Sequence, residues 1–368
     1  MKNNARIKFT KDEVDNIIDE FSINTDVERI PLKSVSCKSD IELYRIKGKE
    51  YRCFIIDSPE AREIACRPSV VGAEIEKLSG KLAAKAGPAI LETGAITNPI
   101  IFEHILRASV GYHLHDFLIR YFLSNDKKNT KIFQTWIRTR YTYPSYKDHN
   151  EPEKTLVSTF EDFSALDSIP SKAADLVVQD TIASGKTLEF SLGRAFAEAE
   201  KRDIKIKNVI FYGFIAEKGL DYVWKKIKSR SAKMCAFAIS DLTPLCSNNY
   251  DMPLYGPDEP LYNEKGTLKN LGATISRDAF ERYAELFIPG LDQPGDFSAR
   301  LLKLYNGKSF EESEIPIHLK RSYDYLNRIE KLLKEEMPML YRKTSERISE
   351  EKKKLAYMME MNKEREKR

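Results

Sequence analysis

The chain has no CxxC pair, and its five cysteines, Cys37, Cys53, Cys66, Cys235 and Cys246, are scattered. An odd, dispersed set fits reduced thiols rather than a disulfide framework, and it offers no structural zinc site. Histidine is equally scarce at five residues. His113 and His115 stand two apart, a spacing that converges on a metal only on a strand or loop, so they read as packing or surface residues and no resident metal site is expected. Long apolar runs are missing too: none approaches the roughly 18 residues that span a bilayer, and none follows the opening MKNNARIKFTKDEVDN as in a secretory signal. The expectation is a soluble, cytoplasmic protein with no membrane partner. Finally, an excess of one charge sign is absent. A net charge of +4 argues against a dedicated nucleic-acid binder.

What is present is ordinary globular material, 42% hydrophobic and 32% charged, in a 368-residue chain longer than one average domain. Residues 1–68 read as an N-terminal extension, with a hairpin turning at Lys47-Gly48-Lys49. From Ser69 to Ala86, Val71, Ile75, Leu78 and Leu82 fall at helical spacing. Strand-like runs then alternate with helical ones: IFEHILRAS, HDFLIRYFL, KIFQTWIRTRYTY, DLVVQD, a helix over 187–201, NVIFYGFIA, a helix over 219–229 and KMCAFAIS. Such alternation predicts an α/β fold, a mainly parallel sheet flanked by helices, with ligands beyond the carboxyl ends of the strands. The core is expected over 69–310. Within it, residues 242–284 are rich in Pro, Asn, Gly and Tyr and read as an inserted surface excursion. Residues 311–368 read as a helical C-terminal extension, with Leu319, Leu326, Ile329 and Leu333 on one face and Pro338 ending or kinking the helix. The last run, SERISEEKKKLAYMMEMNKEREKR, reads as a solvated helix.

The most informative segment is DLVVQDTIASGKTL, Asp175 to Leu188. An apolar strand runs into Gln179-Asp180, then into the small residues Ala183, Ser184 and Gly185, before Lys186 and Thr187 open a helix. Small residues let backbone N–H groups close on an anion, the helix N-terminus adds its dipole, and the hydroxyls of Ser184 and Thr187 donate. The segment is not a Walker A loop, which would need glycine where Asp180 stands.

This segment resembles the phosphoribosyl pyrophosphate signature of type I phosphoribosyltransferases. HILRASVG at 104–111 resembles the ILRAG of the uracil enzymes, and LFIPGLDQPGD at 286–296 resembles their base-binding YIVPGLGDAGD. IKNVIFYGFIAEKGLDYV resembles the strand, turn and helix after the phosphate loop, and Asp241 closes the next strand where the family has an aspartate. These matches run in family order over roughly residues 70–300.

The resemblance implies a type I phosphoribosyltransferase-like fold and transfer of phosphoribose to a nucleobase, uracil first. Phosphoribosyl pyrophosphate would be held, with Mg²⁺, by Arg107, Ala108, Arg140, Asp180, Ala183, Ser184, Gly185, Lys186 and Thr187. Asp180 and Arg107 would carry catalysis, the first on the ribose hydroxyls and the second on the leaving pyrophosphate. Ile288, Gly290, Asp292, Gln293, Pro294 and Asp296 would wrap the base. Homo-oligomers are expected, the apolar face from Val71 to Leu82 offering a surface. The departures are Gln179 at the first acidic position, Lys186 for a usual glycine, and Asp292-Gln293-Pro294 for glycine, aspartate and alanine. They keep open an alternative, a non-catalytic protein that senses a nucleotide or the donor on the same fold.

Overall fold

The computed structural model describes residues 9–33, 40–124, 132–142 and 155–366. In chain order the elements are α1 (Lys11–Glu20), β1 (Val27–Ile30), β2 (Glu42–Ile46), β3 (Arg52–Asp57), α2 (Pro59–Cys66), α3 (Ala73–Glu92), β4 (Ile100–Leu106), α4 (Leu114–Ser124), β5 (Ile132–Thr142) and β6 (Thr155–Asp162). There follow β7 (Ala173–Gln179), α5 (Lys186–Glu200), β8 (Lys205–Ala216), α6 (Glu217–Ser229), β9 (Lys233–Thr243), β10 (Gly256–Pro257), α7 (Glu259–Lys265), β11 (Asn270–Leu271) and α8 (Arg277–Ala284). The chain closes with β12 (Leu304–Tyr305), β13 (Phe310–Glu311), α9 (Ile315–Glu336) and α10 (Pro338–Glu366).

Nine strands form one sheet in the order β1-β2-β3-β9-β8-β7-β4-β5-β6. The run from β3 to β5 is parallel, and the outer pairs β1/β2, β2/β3 and β5/β6 are antiparallel. The central strands are mostly apolar, as burial on both faces favours: every residue of β4 is buried, and so is β7 after its first residue. Alternation along β4 shows the two covers. Glu103 accepts a hydrogen bond from Ser191 of α5 at 2.8 Å, while the next side chain, His104, lies against His115 of α4 with ring centroids 4.8 Å apart.

Three expectations need correction. Residues 27–57, read as an extension, supply three strands of the main sheet, because β3 pairs directly with β9. The 242–284 segment is not a surface excursion. Met252, Leu254, Tyr255, Ile275, Phe280 and Tyr283 are all buried, interleaved with turn residues that masked their periodicity. The tail is not simply solvated, since α10 buries Ile348 and Leu355, and its Glu351 accepts a hydrogen bond from Ser69 at 2.6 Å. In addition, Val71, Ile75 and Leu82 are buried within this chain, so that face offers no surface for self-association. The helix it belongs to runs past Ala86 through Pro88 to Glu92 because Ala89 and Ile90 continue its buried stripe. Pro338 does separate α9 from α10. Among the described residues, no helix is long and apolar enough to cross a membrane.

One interior charge ties distant segments together. Arg300 is 1% exposed, and its guanidinium donates to the carbonyls of Ile64 in the last turn of α2, of Arg67 and Val70 in the α2–α3 link, and of Gln293 and Pro294 in the loop after α8. Arg300→Met should lower the unfolding free energy in urea by about 3 kcal/mol. Several buried carbonyls then lose their donor at roughly 1–3 kcal/mol each, offset in part because no charge is buried.

Candidate functional site

Beyond the end of β7 the chain stays tied to β8. Asp180 N–H donates to Tyr212 O at 3.0 Å, Ile182 N–H to Phe214 O at 2.8 Å, and Ala216 N–H returns to Ile182 O at 2.7 Å. This close path requires Gly213, where an added Cβ would lie 1.8 Å from Asp180 O. The loop then turns through Gly185 at φ +78° and enters α5 with no side-chain cap on the helix start. The first-turn N–H groups of α5 thus remain available to a ligand.

The geometry gives Gly185 a role different from the one its position suggests. A Cβ there would meet Gly219 O at 2.6 Å, and a Cβ on Gly219 would meet Ala183 O at 2.1 Å. The two glycines interlock the loop with the first turn of α6. Gly185 thus lines the cleft and is also required from behind, where its missing Cβ admits α6.

In front of this loop lies a cleft of about 240 Å³. One wall is the loop itself, Asp180 to Leu188. Ala108 and Tyr141 contribute from the ends of β4 and β5. Asp292, Pro294, Asp296, Phe297 and Ser298 form the facing wall, and Asn249 with Tyr250 complete it. The parts are braced together: Tyr112 stacks on Phe297 with ring centroids 4.3 Å apart, and its hydroxyl meets that of Thr181 at 2.5 Å.

Of the residues singled out from sequence, Ala108, Asp180, Ala183, Ser184, Gly185, Lys186, Thr187, Asp292, Pro294 and Asp296 line this cleft. Five do not. Arg107 follows a cis peptide bond and turns to ion pairs with Glu311 at 3.4 Å and Glu314 at 2.6 Å. Arg140 is exposed, and its neighbour Tyr141 takes the cleft position. Arg138 is buried and pairs with Glu311 at 2.7 Å. Ile288 sits in the core, and Gly290 is pinned by Tyr325, whose hydroxyl donates to its carbonyl at 2.9 Å. Gln293 turns inward and donates to Asp241 at 3.0 Å, anchoring the loop to β9. Residues 143–154 lie outside the described residues, as does Cys37.

Sequence reasoning missed Tyr141, Asn249, Tyr250, Phe297 and the structural need for Gly213 and Gly219. The two glycines stood in the quoted GFIAEKGL, but only the fold reveals what they approach.

Asp180 is partly exposed and pairs with no lysine or arginine among the described residues, and loss of water pushes its carboxyl up to about 7. Burial likewise raises Asp241 to about 7, despite its hydrogen bonds from Gln293 and Tyr255. Asp292 is raised first by loss of water and then by the neighbouring Asp251. Carboxylates in this state accept hydroxyl or N–H donors, or a cation, with gain. No family model matches the chain, and no curated protein matches it.

Two outcomes are expected. Gly219→Ala should push the Ala183 carbonyl away, cost about 1–3 kcal/mol of stability in urea unfolding, and weaken inorganic phosphate binding. Stability should also fall as pH rises between about 6.5 and 8. There the folded chain retains protons on Asp180, Asp241 and Glu103, the last raised to about 8, that the unfolded chain has already released. The window starts at 6.5 because His104 and His318, pushed down to about 3 and 4 by burial, oppose the trend below it. Melting temperatures across that range check the slope, which Asp180→Asn should flatten in part.

Proposed function

We propose that the chain transfers phosphoribose from phosphoribosyl pyrophosphate to a nucleobase, on a type I phosphoribosyltransferase-like fold. The observation that carries this reading is convergence. Three segments resembling that family, 104–111, 175–188 and 286–296, contribute residues to a single cleft beyond the carboxyl ends of parallel strands. The loop from Ala183 to Thr187, with the uncapped start of α5, suits a 5′-phosphate. Asp180, unpaired and short of water, suits the ribose hydroxyls. The same carboxylate would hold Mg²⁺ brought in with the donor, since magnesium is commonly bound by one or two carboxylates together with substrate phosphates. When bound, it would neutralise charge on the leaving group. Pyrophosphate departs as positive charge builds on the sugar, and the chain's share of the work is to hold both partners in line and keep the reacting carbon from water.

A second reading, a protein that senses the nucleotide or donor without turnover, is favoured by Arg107. This is the residue expected on pyrophosphate, yet Glu311 and Glu314 hold it outside the cleft. Gln179 points the same way, for it is buried and accepts from His115 N–H at 3.2 Å.

Mg²⁺ and phosphoribosyl pyrophosphate together should raise the melting temperature under either reading, by preferential binding to the native state. Pyrophosphate release with a panel of bases separates them, because transfer demands release with at least one base. Asp180→Asn should weaken donor binding in calorimetry by about 1.5–3 kcal/mol, the worth of a charged hydrogen bond. A donor that binds Asp180→Asn as tightly as the parent removes Asp180 from the site.

A further inference from the structure

The facing wall of the cleft contains an aromatic ring that the donor does not need. Tyr250 is 60% exposed, at the tip of the link between β9 and β10. That link is held rigidly for a surface turn. Asn248 Oδ1 accepts the N–H groups of Tyr250 and Asp251, each at 3.0 Å, and Asn248 Nδ2 donates to Asp251 at 2.8 Å. Cys246 N–H donates to Asp251 O at 2.9 Å, and Lys218 donates to the side chain of Asn249 at 2.7 Å. A phenol ring presented to water on a hydrogen-bonded turn offers a flat molecule a face to stack on, with little backbone left to order.

Tyr250 also borders a second chamber of about 180 Å³. The two cavities share Tyr250, Asp292 and Asp296, and α9 forms the far side of the second with His318, Ser322 and Tyr325. A molecule spanning both cavities would lie along the three residues they share, the Tyr250 ring among them. Asp292 lies at the crossing. One of its oxygens accepts Met252 N–H at 2.9 Å, leaving the other for a ligand N–H.

Resting on the phosphoribosyl-transfer reading, we infer that the acceptor is a planar, N–H-bearing heterocycle of two fused rings, stacked on Tyr250 and projecting into the α9 chamber. A single-ring base would fill only the first cavity and leave the second to water. Tyr250 thus sets specificity through the 242–284 segment, and α9 supplies the end wall of the acceptor site. The phosphate, by contrast, stays on the opposite side of the cleft, at residues 183–187.

The test uses calorimetry on the full chain with ribose 5-phosphate, uridine 5′-monophosphate and inosine 5′-monophosphate. Ribose 5-phosphate should bind alike to the parent, Tyr250→Ala and Tyr250→Phe. The inosine nucleotide should bind the parent about tenfold or more tighter than the uridine nucleotide, with Tyr250→Ala removing the advantage and Tyr250→Phe retaining it. Equal or tighter binding of the uridine nucleotide, or an unchanged inosine nucleotide affinity in Tyr250→Ala, overturns the inference while leaving the phosphate cradle standing. If ribose 5-phosphate fails to bind the parent at all, the phosphoribosyl reading falls and takes this inference with it.

Discussion

The candidate site depends on a buried guanidinium that, among the described residues, has no carboxylate in contact. Arg300 meets only carbonyl oxygens, and burial pulls its pKa down to about 10, which still leaves it charged at neutral pH. Planar donors spread over five carbonyls replace the lost water, a task suited to arginine and not to lysine. The link between α2 and α3 and the loop at 293–294 would otherwise face each other as two rows of unsatisfied acceptors. With them fixed, Asp292, Pro294 and Asp296 have a defined place opposite Asp180. The charge has a further effect nearby. His318 packs within reach of the same loop, and Arg300, after burial itself, helps to keep it neutral.

The opposite wall is held by a different device. Between the end of β7 and α5 the chain leans on β8 and α6 at three glycines, Gly213, Gly185 and Gly219, where main chain approaches main chain too closely for any Cβ. One wall is thus positioned by a side chain reaching across the core, the other by the absence of side chains. Both leave two polar groups of the cleft unspent on structure: the start of α5 lacks a side-chain cap, and Asp180 lacks a cation among the described residues.

How much of this could be read in advance follows from how local each feature is. The strand, loop and helix from Asp175 to Lys201 lie within one contiguous stretch, and their order of apolar, small and polar residues was legible. Arg107 was not, because its ion-pair partners Glu311 and Glu314 come from β13 and its junction with α9, far along the chain. The 242–284 segment misled through its composition. Turn residues gave it the look of a surface loop, although Met252 and Leu254 form a rung against residues 290–293 through paired backbone hydrogen bonds. In α10, Thr344, Ile348, Glu351 and Leu355 form the buried stripe, two of them polar, so dense surrounding charge concealed the apolar face. Conversely, the alternation that predicted a mainly parallel sheet was reliable because its central strands, β4, β7, β8 and β9, are buried on both sides over most of their length.

The pairing of β3 with β9 carries a kinetic consequence. Arg52 lies opposite Cys235 and Ile56 opposite Ile239, so the hairpin of β2 and β3 has no docking partner until nearly two thirds of the chain has emerged from the ribosome. Contacts of such long sequence separation are slow to form, and an apolar strand such as Cys53–Ile56 stays open to wrong partners while it waits. The order of synthesis thus gives β4 to β8 the first opportunity to assemble. The opening strands of the polypeptide join its sheet among the last.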